Sequence, residues 1–272
     1  MNKCNLPREP EYREWDKQKI ADLVLTDKKL QTYIKIAKEY VFNINTIAAY
    51  SFAKNPLAGK YASVIFDKEE GIVLCKLSTS CILQRFTMFS LISGVTSQKM
   101  IVKLLGYKYN NVLSFGHSAY FSMHGYTQGT SDWACLHNMA DYSAVKSTIV
   151  FKTVVWGEVE YIFSYYDCVK SIGSRIREAL HHNQHNHAMI HKYMDGIGYG
   201  NCDLDRSSIL GNPEFQISKI NIKASCQDIG ERVVKDWHIN CLRIFAQEYE
   251  CPSIVKDQED IYSQSKRKKS IH

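Results

Sequence analysis

The spacing of apolar residues changes several times along the chain, and each change predicts a different element. Between Glu11 and Lys38, charged residues are mixed with Ile20, Leu23, Leu25, Leu30, Tyr33, Ile34 and Ile36, which predicts one or two amphipathic helices lying on a core. From Tyr40 to Tyr50 the residues turn aromatic and β-branched, then meet the breaker A-K-N-P-L-A-G-K, so a strand, a turn and a further strand follow. Y-A-S-V-I-F and G-I-V-L-C-K-L, separated by D-K-E-E-G, predict a β-hairpin. Met100, Ile101, Leu104 and Leu105 recur at helical spacing, with Thr96 or Ser97 to cap the helix and Gly106 to stop it. Val112 to Met123 alternates as one strand, T-Q-G-T-S-D-W is a turn, and W-A-C-L-H-N-M is a short apolar piece. Ser147 to Tyr166 holds two β-rich runs about a turn near Trp156 and Gly157. A helix capped by Asp167 follows, with Val169, Ile172, Ile176 and Leu180 as its buried stripe.

Beyond Leu180 the pattern breaks into H-H-N-Q-H-N-H-A-M-I-H and a glycine-rich join, followed by a short strand, an amphipathic helix near 229–249 and a K-R-K-K tail. These elements predict an α+β protein, with a mixed, mostly antiparallel sheet flanked by helices near 11–38, 96–105, 167–181 and 229–249. The expected division is an N-terminal helical arm at 1–40, an α+β core at 41–182, a C-terminal extension or subdomain at 183–262 and a basic tail at 263–272.

With 45% hydrophobic residues over 272 positions, the chain has the material for a real core. Its net charge of +6 favours a polyanionic partner. Nine cysteines without a single C-x-x-C speak against a disulfide framework or a zinc ribbon and for reduced, cytoplasmic thiols. No apolar run approaches the roughly 18 residues of a membrane span. From Ser78 to Gly106 there is no Asp or Glu, and Arg85, Lys99 and Lys103 are the only charges. Lys99 and Lys103 share a helix face, so they form either the solvated edge of a core helix or a surface for phosphates.

The histidines and cysteines offer other chemistry. His181 with His185, and His187 with His191, have the i, i+4 spacing of zinc-binding imidazoles, but no H-E-x-x-H is present, and a solvated polar linker is the expected state. Cys135 with His137, or Cys168 with His117 or His124, are the pairs a Cys/His enzyme would use, against the ordinary reading of such cysteines as small core residues. Walker, G-x-G-x-x-G and G-x-S-x-G patterns are absent, and no cofactor is expected. Tyrosine and phenylalanine supply most of the 12% aromatics, which keeps base stacking on a single strand open beside core packing.

The order of elements from Asn43 to Leu180 resembles the ComK family of competence transcription factors from Gram-positive bacteria. The resemblance rests on Asn45, Thr46 and Ile47; on Val64 to Phe66; on Ser80 and Cys81; on Leu104, Leu105 and Gly106; on Ala119, Tyr120 and Phe121; on Thr130 to Trp133 with Cys135; and on Trp156, Gly157, Ser164, Tyr165, Tyr166 and Arg175. Gly94-Val95 stands where the family has glycine and arginine, and Trp133 and Cys135 are in exchanged order. The resemblance implies a cytoplasmic, non-enzymatic activator that binds A·T-rich promoter boxes in double-stranded DNA as a homo-oligomer, away from any membrane. It also implies removal by an adaptor and a Clp-type protease. The expected DNA contacts are Arg85, Lys99, Lys103, Lys108, Lys170, Arg175 and Arg177. Arg175 and Arg177 lie about 200° apart on a helix, so one of them at most faces DNA, and Arg175 is the expected one. The alternatives are a cytosolic Cys/His-dependent enzyme and an interaction protein with a His-rich, metal-binding linker.

Overall fold

The β-rich runs pair into two sheets. A computed structural model of the chain describes residues 4–88, 95–107, 111–125, 130–196, 203–216, 229–230 and 234–235. The chain divides into two units, Met1–Lys223 and Ala224–His272. The strands of the first unit are β1 (Glu14–Trp15), β2 (Ile34–Ala37), β3 (Thr46–Ser51), β4 (Ser63–Asp67), β5 (Gly71–Cys75), β6 (Val112–Ser114), β7 (Ala119–Ser122), β8 (Trp133–Cys135), β9 (Met139–Val145), β10 (Thr148–Thr153) and β11 (Ile162–Tyr165). Its helices are α1 (Lys17–Leu23), α2 (Thr79–Met88), α3 (Val95–Leu105) and α4 (Ile172–Gly196). The larger sheet runs β2-β5-β4-β3-β8-β7-β6 and the smaller β1-β11-β10-β9. Among the described residues, only β1 with β11 and β2 with β5 pair in parallel. The fold is therefore α+β with mostly antiparallel sheets, as the residue pattern predicts. No helix among the described residues is long and apolar enough to cross a membrane.

Because strand side chains alternate in direction, the larger sheet feeds two separate cores. Tyr50, Val64, Phe66, Ile72 and Phe121 pack with Phe151, Phe163 and Tyr165 of the smaller sheet. Their neighbours Ala49, Ile65, Val73, Tyr120 and Trp133 pack with Ile82 and Leu83 of α2. Every residue of β3, β4 and β5 is consequently buried. Phe66 sits at the join of the sheets, its ring 5.0 Å from both Trp15 and Phe163 and 6.2 Å from Tyr50.

Several segments depart from the expected elements, among them Thr79–Met88, which forms α2 where no helix is expected. Over 11–38 only α1 is α-helical, with Asp16 Oδ1 accepting from the Lys19 N–H at 2.8 Å as its N-cap. After it, Asp27 accepts from the Tyr12 hydroxyl at 2.6 Å and from the Lys29 N–H at 2.9 Å, which holds a turn where a helix would continue. Ile34 and Ile36, β-branched and two apart, then enter β2. The run Val112–Met123 is two strands, because Gly116 takes φ +79 and reverses the chain between β6 and β7. Asp167 has φ +53 and is no cap, since α4 begins at Ile172. That helix then continues to Gly196, straight through the residues read as a solvated linker. Most of the helix expected near 229–249 and the whole 263–272 tail lie outside the described residues.

Candidate nucleic-acid interface

Strand β6 is the outer strand of the larger sheet, and helices α3 and α4 lie against it. Apolar contact, with Val112 of β6 and Ile172, Ile176 and Leu180 of α4 in one core, is joined there by amide chemistry. Gln98 of α3 is fully buried; its Nε2 donates to the Ser114 carbonyl at 2.8 Å while its Oε1 accepts from the Ser114 N–H at 3.1 Å. From the other side, Asn186 Nδ2 donates to the same carbonyl at 2.6 Å, and the Ser114 hydroxyl donates to Asn183 Oδ1 at 2.6 Å. Asn183 Nδ2 reaches the Gly116 carbonyl at 2.9 Å. One serine on a sheet edge thus takes side chains from both helices, which fixes their rotation and blocks strand addition at that point.

With Gln98, Met100, Ile101 and Val102 turned inward, Lys99 and Lys103 must project, and both are exposed. Neither belongs to an ion pair among the described residues. At the end of α3, Tyr107 meets His181 of α4 through a hydroxyl to Nδ1 hydrogen bond. Lys170 is exposed just before α4, and Arg177 is exposed on it.

The remaining expected contacts are placed differently. Arg85 of α2 forms an ion pair with Glu39 at 2.9 Å. Arg175 is half-buried, and its guanidinium donates to Ser171 Oγ at 3.1 Å and to Asn111 Oδ1 at 3.2 Å. Asn111 in turn donates to the Ser122 and His124 carbonyls, so Arg175 is built into the framework behind β6. Lys108 lies outside the described residues.

The histidine-rich stretch is the largest surprise. His182, Asn183, Gln184, His185 and Asn186 are all buried inside α4. Burial first, then the neighbouring His185 and His181, pulls the His182 pKa down to about 3, so it is neutral at pH 7. His137, also buried, is held near 4 by desolvation, with ring nitrogens beside the Ala119 and Ile44 carbonyls. Among the described residues no group of three His, Cys, Asp or Glu is arranged to hold a metal ion.

Sulfur chemistry fares no better. Burial pushes the Cys135 thiol well above its ordinary value and the Cys168 thiol up to about 12. The Cys168 thiol donates to the Tyr165 carbonyl, and His124 Nε2 lies 3.0 Å from the Asp167 carbonyl. A nucleophilic cysteine needs a stabilised thiolate, and both sites do the opposite.

Sequence reading missed Gln98, Asn183 and Asn186 as positioning residues. For Gln98 a signal existed: an amide one position from Lys99, on the side of the helix that carries Ile101 and Val102. For Asn183 and Asn186 the only signal was their place one and two turns past the stripe of Ile176 and Leu180.

Of the residues that carry the resemblance noted above, Thr46, Val64–Phe66, Ala119–Phe121, Trp133 and Cys135 are buried, whereas Cys81 and Tyr166 are exposed. The buried ones make up the larger part of the resemblance. They bear on the core and not on a contact surface. Family models, curated proteins and solved structures give no match to this chain.

Proposed function

We propose that the chain binds double-stranded DNA and acts as a transcription activator, presenting α3 to the phosphates. The observation that carries this reading is the acid-free helix α3, whose exposed Lys99 and Lys103 have no carboxylate partner among the described residues while its opposite face is locked by Gln98. A carboxylate on such a face would repel phosphate, whereas each lysine that meets one releases a counterion. Arg177 and Lys170 add exposed cations to α4 and the turn before it. The ComK-like order of elements supports A·T-rich promoter boxes as the target, a homo-oligomeric binder, a cytoplasmic site of action and an adaptor with a Clp-type protease as further partners. Buried, protonated thiols favour this non-enzymatic reading over Cys/His catalysis.

The test is a titration of the full chain against an A·T-rich duplex over a range of salt concentrations. Affinity should fall steeply with salt, and the double variant Lys99→Ala/Lys103→Ala should lower the slope of log K against log salt by about two. A folded double variant with unchanged affinity and slope would remove α3 from the interface.

A further inference from the structure

A cleft of about 640 Å³ opens elsewhere in the first unit, where the ends of β3 and β11 meet the residues leading into β8. Its floor is rigid. The Tyr50 and Tyr165 rings stack 4.8 Å apart, the Tyr50 hydroxyl donates to the Ser164 carbonyl at 3.2 Å, and the Tyr165 hydroxyl donates to the Trp133 carbonyl at 2.8 Å. One acceptor at this floor is incompletely used. Asp132, its side chain only 13% exposed, accepts from the Ser51 N–H at 2.6 Å and from the Lys17 ammonium at 3.4 Å. Both of those bonds go to Oδ1, and Oδ2 accepts none among the described residues.

A carboxylate oxygen left open in an aromatic-walled cleft is satisfied when something supplies an N–H donor. Lys17 shows what that something is. Its ammonium lies near Asp132 and 5.5 Å from the centre of the Phe52 ring, a carboxylate and an aromatic face acting together on one organic cation. Yet Lys17 is 47% exposed and its contact is long, so the chain's own cation fills the site loosely. The carboxyl pKa agrees: burial holds it above the ordinary carboxylate range even though Lys17, Ser51 and His124 all pull it down.

We propose that this cleft binds a small organic cation, an alkylammonium or guanidinium head group, with an N–H donor taken by Asp132 Oδ2 and Phe52 alongside. Lys17 is the internal competitor that the ligand displaces or joins. The site is independent of the DNA-binding reading, since it uses neither α3 nor α4.

The experiment is calorimetric titration of the full chain with n-propylguanidinium and with n-butylammonium at constant ionic strength, at roughly pH 8 so that carboxylates are ionised. Uncharged n-butanol is the control for apolar contact, and the relative strength of the two cations tells which head group the site prefers. Saturable binding of at least one cation and none of the alcohol is expected. Asp132→Asn should weaken it by about tenfold or more, the size of a lost charge-assisted bond. Lys17→Met should tighten it, because a competing charge leaves. Absence of saturable binding to the unaltered chain, or equal binding of cation and alcohol, overturns the proposal, as does a folded Asp132→Asn protein that binds as before. Should Asp132→Asn fail to fold, Lys17→Met decides alone: unchanged or weaker binding of the cation overturns it.

Discussion

The centre of the larger sheet and the middle of α4 are equally buried, yet they are held by opposite chemistries. In β3, β4 and β5 the buried side chains are overwhelmingly apolar, and Phe66 touches three other aromatic rings. In α4 the buried run from His182 to Asn186 is polar at every position. The first region gains from removing apolar surface from water, a force without direction. The second gains little from burial itself and depends on specific donors meeting specific acceptors on β6 and the turn after it. Strands of the sheet could therefore tolerate a swap of one apolar residue for another of like volume, while α4 has its rotation fixed by geometry.

The strongest way to break this contrast is at the join of the sheets. Phe66→Ala should cost about 3–5 kcal/mol, because it empties a site lined by Trp15, Tyr50 and Phe163. Chemical denaturation would measure it; a loss under about 1 kcal/mol would mean the two sheets do not share one core.

Acid should act through two buried histidines, His182 of α4 and His137 beside Tyr120 of the larger sheet. His137 and His182 have folded pKa values of about 4 and about 3, below the ordinary value near 6.5. Unfolding raises both, so the stability they contribute is present above pH about 6.5 and is lost as the pH falls towards their folded values. At about pH 5 each should withhold about 2 kcal/mol relative to neutral pH. His182→Leu should flatten part of that profile, and a variant with the same acid sensitivity as the parent would show that His182 is not the group involved.

How much of this was readable beforehand follows the same division. The β4–β5 hairpin and α3 were legible because alternation and i, i+4 spacing report which side of an element is apolar. The exposure of Lys99 and Lys103 followed from that. The extent of α4 was not legible: its run of His, Asn and Gln is buried with Asn183 and Asn186 paired to Ser114 of β6 and Gln184 to the Phe215 carbonyl, partners outside the local sequence. The same limit hid the Arg85–Glu39 pair and the Asn111 acceptor for Arg175, both contacts between distant segments. Over 11–38, apolar residues in a charged background fitted a helix, and pairing of β2 with β5 overrode that local preference.

Inside the polar region, Asn183→Ala removes partners from the Ser114 hydroxyl and the Gly116 carbonyl together. The expected cost is about 1–3 kcal/mol, since groups left buried without partners lose more than the bond itself was worth. Asn183→Asp, similar in shape, still accepts from the Ser114 hydroxyl but sets a buried carboxylate oxygen against the Gly116 carbonyl in place of a donor, so it should cost at least as much as Ala. If Asn183→Ala matches the parent in thermal or denaturant unfolding, the amides follow the fold and do not hold it.

The finest comparison lies between two arginines two positions apart on α4. Residues at that spacing point about 200° apart, so they sample the buried and exposed sides of one helix. Arg175 points back to Asn111 and Ser171, and Arg177 points out. The sequence reading favoured Arg175 as the DNA contact; the geometry favours Arg177, because Arg175 would have to abandon its bonds to reach a phosphate. Arg175→Ala should therefore cost about 1 kcal/mol of stability and leave the salt slope of DNA binding unchanged. Arg177→Ala should leave stability within about 0.5 kcal/mol and lower the slope by about one unit if it meets a phosphate. The reverse result, a stable Arg175→Ala protein with a reduced slope, would mean that the arginine leaves Asn111 when DNA arrives, and that the framework behind β6 is part of the contact surface after all.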